Sequence, residues 1–191
     1  MAAFPVKIHG PSSGIGSLIA ATSIGIMSST LTQTTDTLPV PNFEPARDVP
    51  GAHQLPDPTV THKVVIDITT AASEINDINS RLVGAARYVN TLAKYGVPAE
   101  QRKVAVVLHQ GATEIILNNE TFKARNDGHD NPNIALIQNL TAAGVKFHVC
   151  GQAVLGRNID PDTIMPEIQL DLWALTTLIN LQLDGYVLVG E

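Results

Sequence analysis

The chain has 191 residues, 44% of them hydrophobic and 16% charged, and its 12 Lys and Arg against 18 Asp and Glu give a net charge of −6. This apolar content is enough for the core of one ordinary domain and excludes a wholly disordered chain. The acidic balance argues against nucleic acid as a partner. The one cysteine excludes an intramolecular disulfide and a zinc site built from several cysteines.

The first 37 residues have the pattern of a targeting segment. Residues 14–27 are weakly apolar and uncharged, with Lys7 upstream and a Ser/Thr-rich exit from Ser28 to Thr37. A basic start, an apolar centre and a polar exit are typical of a secretory signal, although no clean cleavage site follows. We therefore expect residues 1–35 to be a signal peptide for the periplasm or secretion, or else the disordered tail of a cytoplasmic protein. A stable membrane span is not expected, because a spanning helix needs about 20 apolar residues.

Residues 36–61 are rich in proline. Eight of the 12 prolines in the chain fall in residues 1–60, and only six residues of that stretch are charged. Such a composition favours an extended backbone over helix or strand. We expect this segment to be an arm that lies over the following domain or over a neighbouring subunit.

From Lys63 onward, short apolar runs alternate with segments of helical periodicity. Runs of β-branched residues predict buried strands, and apolar residues three or four positions apart predict helices. The predicted strands cover residues 64–68, 104–108, 145–149, 167–170 and 186–189; the predicted helices lie within 80–95, 111–119, 131–143, 152–155 and 172–184.

The order of these elements predicts an α/β fold for residues 62–191. Strand and helix alternate about five times, which is typical of a parallel sheet covered by helices on both faces. Strands one, two and five are almost continuously apolar, so we expect them to be buried on both faces. Ser80 is the predicted N-cap of the first long helix, and Asn131 with Pro132 is the predicted start of another.

Polar residues gather where the predicted strands end. In open α/β sheets the ligand crevice lies beyond the carboxyl ends of the strands. Residues 67–70 lie at the end of strand one, 109–113 follow strand two, and 150–152 follow strand three. Neighbouring strands would bring these tips together. The candidate site residues among them are Asp67, His109, Gly111, Thr113, Cys150, Gly151 and Gln152.

Cys150 is the sharpest candidate, because it stands where a strand gives way to a helix. Exposed N–H groups and the helix dipole at such a point favour an anion, and they would stabilise a thiolate, the reactive form of cysteine. The alternative is a buried cysteine that acts as a small hydrophobic side chain. Both interpretations are open at this point.

His109 has three interpretations. It is a proton shuttle beside Cys150, a metal ligand, or a loop histidine that bonds a carbonyl group. Cys150, His109 and Asp67 could form a catalytic triad. Because so many polar residues lie at strand tips, this combination is weak evidence for catalysis.

The remaining polar segment lies at residues 119–133. Its most turn-rich part, from Arg125 to Pro132, serves as caps and turns or else as a rim over the crevice, and its spacing does not match a calcium loop. No P-loop and no HExxH motif is present. We therefore predict no nucleotide cofactor and no metal site, and an independent hydrolase or oxidoreductase is the least expected function.

The pattern from Lys63 to Val189 resembles the DsrE/DsrF-like family, also called YchN-like, of small sulfur-relay proteins. The stretch around Cys150 and the last helix with Gly185 and Tyr186 are the most specific parts of this resemblance. The matching segments are KVVIDITT (63–70), VAVVLHQGA (104–112), NPNIALIQ (131–138), GVKFHVCGQ (144–152) and ALTTLINLQLDGYVLV (174–189).

The resemblance implies a Rossmann-like sheet of five mostly parallel strands and assembly into homotrimers or homohexamers. In sulfur-carrying members, the cysteine after the third main strand accepts a persulfide, and Cys150 stands at that position. Those members work beside sulfur donor and acceptor proteins. The chain departs from them in its N-terminal 60 residues, in the glycine after Cys150 and in the polar stretch at 119–133.

Three functions follow as hypotheses. The first is a persulfide or thiol carrier, in which His109 and the N–H groups of Gly151 and Gln152 support Cys150. The second is a non-catalytic module that binds a small molecule among His109, Gly111, Thr113 and Arg157, with Trp173 as a further contact unless it packs in the core or an interface. The third is an assembly role, in which the arm at 36–61 wraps a neighbour.

Overall fold

The computed structural model describes residues 38–190. This part of the chain contains five strands and five α-helices, with one helix between successive strands except for the two between the second and third strands. Three 3₁₀ helices lie at Ala99–Gln101, Gln110–Ile116 and Pro161–Thr163. In chain order the main elements are β1 (His62–Ile68), α1 (Ser80–Lys94), β2 (Arg102–Leu108), α2 (Asn119–Arg125), α3 (Ile134–Ala142), β3 (Lys146–Cys150), α4 (Gly151–Gly156), β4 (Ile168–Asp171), α5 (Ala174–Leu183) and β5 (Val187–Val189).

The five strands form one sheet in the order β4-β3-β2-β1-β5, and every neighbouring pair is parallel. The predicted α/β fold, with a Rossmann-like sheet of five parallel strands, is confirmed. The chain moves from β1 to β4 in one direction and then returns across the sheet to place β5 beside β1. Because crossovers between parallel strands are right-handed, this reversal places α5 on the face opposite to α1 and α3.

The two faces differ in how they are covered. On the α1–α3 face, Ile66, Val106 and Phe147 of the sheet pack with apolar residues of both helices in one continuous core. On the α5 face, a smaller cluster joins Val107 of β2 with Leu178 of α5. Alternation along each strand separates the two sets of side chains.

The prediction that strand five is buried on both faces is wrong. Val187, Leu188 and Val189 of β5 are 64%, 41% and 43% exposed. The strand lies at the edge of the sheet and pairs only with β1 among the described strands. An apolar run in the sequence indicates that a strand needs cover, but it does not show whether the same chain supplies that cover.

The N-cap of α1 is Asn79, where Ser80 was predicted. The Asn79 side-chain oxygen accepts a hydrogen bond from the backbone N–H of Arg81 at 2.9 Å, and its amide nitrogen donates to the Thr70 carbonyl at 2.8 Å. An asparagine amide caps the helix and also ties the loop after β1 to it, which a serine hydroxyl at the next position does not do here.

The predicted helix at 111–119 is also different in the structure. A 3₁₀ helix covers Gln110–Ile116, and a separate helix, α2, begins at Asn119 inside the stretch expected to be loop. Helix α3 begins at Ile134 and its N-cap is Asn133, so the prediction of Asn131 as N-cap and Pro132 as first helical residue is wrong. The side-chain oxygen of the buried Asn131 instead accepts from the N–H of Asn133 at 3.0 Å, just before the helix. Helix α2, whose N-cap is Asn118, was not predicted because the sequence there is rich in residues typical of turns.

The described part of the arm, residues 38–61, contains no helix or strand and lies along α1. The fully buried Asn90 of α1 holds it: Asn90 accepts from the Val40 N–H at 2.9 Å and donates to the Val40 carbonyl at 2.7 Å and the Phe43 carbonyl at 2.6 Å. The signal or tail predicted for residues 1–35 lies outside the described residues. Within residues 38–190, every helix is too short or too polar to cross a membrane.

Candidate functional site

The α5 face of the sheet brings several of the predicted site residues together. Asp67 of β1 lies in register with Val107 of β2, which lies in register with His148 of β3, and Cys150 lies in register with Asp171 of β4. Side chains alternate along a strand, so His148 and Cys150 share this face. The polar tips of four strands therefore lie beneath α5.

Cys150 is the last residue of β3 and the N-cap position of α4, as its place in the sequence predicts. Its side chain packs in the α5-face cluster with Val107, Ala174 and Leu178, and the residue is only 4% exposed. It does not line any of five cavities described among residues 38–190. In the single chain, apolar side chains therefore cover the thiol almost completely.

His109 is held by Asp67. The His109 Nε2 and Asp67 Oδ1 atoms are 2.8 Å apart, and the two side chains are 16% and 20% exposed. His109 continues β2 in an extended conformation, and its N–H donates to the Ile68 carbonyl. Two members of the conceivable triad are thus joined. Continuing the register of Leu108 with Val149 by one residue places His109 beside Cys150, but no hydrogen bond joins their side chains among the described residues.

A second histidine–aspartate pair, which the sequence reasoning missed, lies on the other side of Cys150. His148 Nδ1 is 2.9 Å from Asp171 Oδ2, and the side chains are 11% and 17% exposed. Thr177 of α5 donates to the same carboxylate oxygen at 2.8 Å, and Gln169 donates to the other at 2.7 Å. Its signal was in the sequence: His148 precedes Cys150 by two residues on a strand, which places both on one face.

At each of the two predicted glycines, the backbone of another segment comes so close that a side chain would meet it. A Cβ atom on Gly151 would lie 2.6 Å from the Asp171 carbonyl oxygen, so a larger residue does not fit there. A Cβ atom on Gly111 would lie 3.0 Å from the Thr69 carbonyl oxygen. Gln152, the neighbour of Gly151, is exposed and donates to the Leu172 carbonyl at 3.3 Å. Gly151 and Gln152 thus position the segment after β4 against α4.

A polar cavity of about 500 Å³ lies beside the 3₁₀ helix that follows β2. Gly111 and Arg157 line it, as the binding-module hypothesis predicts, whereas His109 and Thr113 do not. Thr113 is fully buried and donates to the Gln110 carbonyl at 2.7 Å; Arg157 donates to the same oxygen at 2.5 Å. The other lining residues are Ala71, Ala72, Ser73, Glu74, Ile75, Asp77, Glu114, Ile115, Phe122, Asn126 and Asn133.

The polar stretch at 119–133 forms both turns and a rim. Phe122 and Asn126 of this stretch line the cavity, so part of it walls the crevice. Other residues of the stretch contact one another. The Lys123 ammonium group and the Asn119 amide both bond to the Asp130 carboxylate and so hold its pKa below the ordinary value. Among residues 38–190, no group of three or more His, Cys, Asp or Glu side chains is placed to hold a metal ion.

Trp173 lies at the start of α5 and lines neither the cysteine cluster nor the polar cavity. It is 46% exposed and stands among other exposed apolar side chains on the outer side of the helix. We call these residues the outer apolar face: Leu172 (75% exposed), Trp173, Leu175 (47%), Ile179 (45%) and Leu183 (82%). The exposed side chains of β5 are divided between the two sides of the sheet, because Leu188 lies in register with Val65 on the α5 side, whereas Val187 and Val189 lie in register with Val64 and Ile66 on the α1 side.

Comparisons with known proteins agree with this architecture. The model of the DsrE/DsrF-like family matches residues 63–189, about two thirds of the chain. A solved structure of a protein of unknown function from Methanobacterium thermoautotrophicum is similar in fold, with a TM-score of 0.50 and 15% sequence identity over 68% of this chain and 99% of that chain. No curated protein matched. The family match covers all five strands and Cys150, and the chain belongs to the DsrE/DsrF-like family.

Proposed function

We propose that this protein carries sulfur as a persulfide on Cys150. The observation that supports the proposal is the placement of this cysteine at the end of β3, on a sheet face that also carries the His109–Asp67 and His148–Asp171 pairs. Two proton-handling groups on one face with a lone thiol suit thiol chemistry better than a purely structural core. Membership of a family related to sulfur relays adds to this support.

The loading step balances without an oxidant. The Cys150 thiolate attacks the terminal sulfur of a donor persulfide, R–S–SH, and a new S–S bond forms at Cys150 while the S–S bond of the donor breaks. The electron pair leaves with the donor sulfur, which takes up a proton and departs as R–SH. No cofactor is needed for this exchange.

Access to Cys150 is the step that controls this function. Ala174 and Leu178 of α5 cover the thiol, and the residue is 4% exposed in the single chain. Sulfur transfer therefore requires α5, or the segment that joins it to β4, to move away from the sheet. Short helices over a small apolar cluster open locally at lower free energy than a large core does.

The test is direct. The full-length protein is treated with a low-molecular-weight persulfide and weighed by intact mass, with Cys150→Ser as the matched control. We expect an adduct of one sulfur atom on the natural protein and none on the serine variant. An adduct that forms equally on both, or on neither, would remove the carrier role.

We further propose that the outer apolar face is the contact between copies of this chain in a homotrimer or homohexamer. Contiguous exposed apolar residues of this extent are unusual on a monomer. Light scattering should give a trimeric or hexameric mass that Leu183→Glu lowers to one chain, and an unchanged mass would count against the proposal.

Export to the periplasm by residues 1–35 stays a prediction, as does the cytoplasmic alternative.

A second candidate function is small-molecule binding without chemistry in the polar cavity lined by Gly111 and Arg157. The observation in its favour is the position of the cavity at the carboxyl side of the sheet, where α/β proteins bind ligands. In a ligand screen by thermal shift, Cys150→Ser should bind as the natural protein does, whereas Arg157→Ala should lose the ligand. A ligand that Cys150→Ser no longer binds would favour the carrier.

A further inference from the structure

A cavity of about 300 Å³ lies at the amino end of the sheet. Four basic side chains line it, and they belong to the first two residues of β1, β2 or β3: Lys63, Arg102, Lys103 and Lys146. Because β3 runs from Lys146 to Cys150, this cavity and the cysteine lie at opposite ends of the same strand. The volume is at the lower limit of the range for small-molecule sites, so the cavity suits a small ligand.

The charge of this cavity is opposite in sign to that of the whole chain. The chain has a net charge of −6, yet four of its 12 Lys and Arg line this cavity against one carboxylate, that of Asp184. A concave site lined by one sign of charge concentrates ligands of the opposite sign. Because positive charges are in excess by three, the wall favours an anion that carries more than one charge.

The three lysines project from the same face of the sheet. Each precedes a member of the α5-face cluster on its own strand by an even number of residues. Lys63 and Lys103 lie in register on β1 and β2, and like charges directly opposite each other destabilise a sheet. Lys146 lies in register with Ala105, so it is diagonal to Lys103 at about 7–8 Å between backbones, within reach of long side chains.

Only part of this charge is compensated by other described residues. The Lys63 Nζ atom lies 3.4 Å from Asp184 Oδ2, and it also donates to the Asp184 carbonyl at the end of α5. Within residues 38–190, the ammonium groups of Lys103 and Lys146 form no ion pair with a carboxylate. Both lysines are exposed, so a ligand in the cavity can reach them.

Arg102 adds a further positive charge to the wall. Its Nε and Nη1 atoms are buried and have no hydrogen-bond partner among the described residues. Burial lowers the pKa of this guanidinium group, and the charge of Glu100 acts in the opposite sense. An arginine side chain stays charged in proteins, so Arg102 raises the positive potential of the cavity even though a ligand does not reach these two covered atoms.

We propose that this cavity binds a small phosphate-type oxyanion, either free phosphate or a phosphate monoester, between Lys103 and Lys146. A phosphate group carries a charge of about −1.5 to −2 at pH 7 and has several acceptor oxygens, so it can accept from two ammonium groups at once. Such charge-assisted hydrogen bonds are stronger than neutral ones. The bound anion would also reduce the repulsion between Lys63 and Lys103. This site is independent of sulfur transfer at Cys150.

The first experiment measures binding of inorganic phosphate to the full chain by isothermal titration calorimetry in a chloride buffer. Lys103→Gln and Lys146→Gln each remove one proposed contact, and each should raise the Kd by about ten-fold or more. Lys123→Gln is the matched control, because it removes the same charge from α2, outside this cavity. Absence of saturable binding to the natural protein, or an equal loss in the control, would overturn the proposal.

Two further ligands define the class of anion. Glycerol 3-phosphate presents the phosphate group as a monoester, whereas acetate carries a single charge. Tighter binding of glycerol 3-phosphate than of phosphate would assign the site to monoesters, and the reverse order would assign it to the free ion. Acetate that binds as tightly as both would overturn the requirement for more than one charge.

Thermal unfolding provides a second measurement, in which the same substitution has effects of opposite sign. Without phosphate, Lys103→Gln should raise the unfolding temperature, because it removes the repulsion from Lys63. Phosphate should raise that temperature in the natural protein and in Lys123→Gln, since a ligand that binds the folded chain stabilises it, and should do so less in Lys103→Gln. A variant that is less stable without phosphate and gains as much from it as the natural protein would show that Lys103 serves the fold alone, and would overturn the proposal.

Discussion

On one face of the sheet, α1, α3 and the arm close a large core over Phe147 and its neighbours. On the other face, α5 covers a small cluster around Cys150, with Ala153 of α4 packed at its side. The first face is almost entirely apolar beneath its helices. The second carries two histidine–aspartate pairs and bears the outer apolar face on its far side. One side of this sheet therefore holds most of the core, while the other side carries the polar pairs and the exposed apolar residues on which the proposed chemistry and the proposed assembly depend.

The largest expected effect on the free energy of unfolding comes from a substitution in the core of the first face. Phe147 is 1% exposed, and Phe147→Ala should lower the free energy of unfolding by about 3–5 kcal/mol, because both the buried area and the packing around it are lost. On the α5 face, Leu178→Ala should cost less, about 2–3 kcal/mol, since Leu178 is already 9% exposed and belongs to the smaller cluster.

Urea unfolding gives both values. Alkylation of Cys150 by iodoacetamide separates the faces further, because only Leu178→Ala removes cover from the thiol and should speed the reaction. If both variants expose Cys150 equally below the unfolding transition, the two faces do not open independently.

Loss of Asn90 should release the arm from the first face. Asn90→Ala removes all three hydrogen bonds to Val40 and Phe43 and leaves their backbone groups without these partners, at a cost of about 2–3 kcal/mol. Limited proteolysis should then cut within residues 38–61 faster than in the natural protein, while β1 to β5 stay protected. Unchanged cleavage would show that other contacts hold the arm.

The substitution Gly151→Ala tests the close backbone packing at the edge of the second face. In Gly151→Ala the new Cβ atom would overlap the Asp171 carbonyl oxygen, a backbone atom that cannot turn aside, so we expect a loss of about 1–3 kcal/mol. Gly156→Ala is the matched control in the same helix, because nothing lies within 4 Å of its added atom, and its effect should stay within about 0.5 kcal/mol. Thermal unfolding of both variants makes the comparison.

The smallest effect concerns Asp48, an exposed residue of the arm. The Lys94 ammonium group, and then the Tyr95 hydroxyl, hold the pKa of Asp48 below its ordinary value of 3.8. A lowered pKa in the folded chain means that this contribution to stability is present above the unfolded value and is lost as the pH falls through the folded one. Asp48→Asn should therefore weaken the protein slightly at pH 7 and leave it unchanged in strong acid.

Urea titrations of Asp48→Asn and the natural protein at pH 7 and below pH 3 check this sign. Because the carboxylate is fully exposed, added salt should reduce the difference at pH 7. A difference that grows in acid would contradict the assigned cause.

Much of the second face was readable from the sequence, and part of it was not. Cys150, His109 and Asp67 stood at predicted strand tips, and the structure brings them to one face. His148 was missed because it lies inside a strand and not at its tip, and its partner Asp171 is 23 residues away on β4. Pairing of that kind depends on strand order and register, which hydrophobic periodicity does not contain.

The sequence by itself determined the local elements, because helical and strand periodicity, caps and turn glycines act over a few residues. It placed all five strands, α1 and α5 to within two residues at their ends, and Cys150 at the junction of β3 and α4. Only the tertiary structure decided that β5 is an exposed edge, that Cys150 is covered by α5, and that His148 meets Asp171. Each of these depends on which distant segments become neighbours, and that follows from the sheet order and the packing of helices on its two faces.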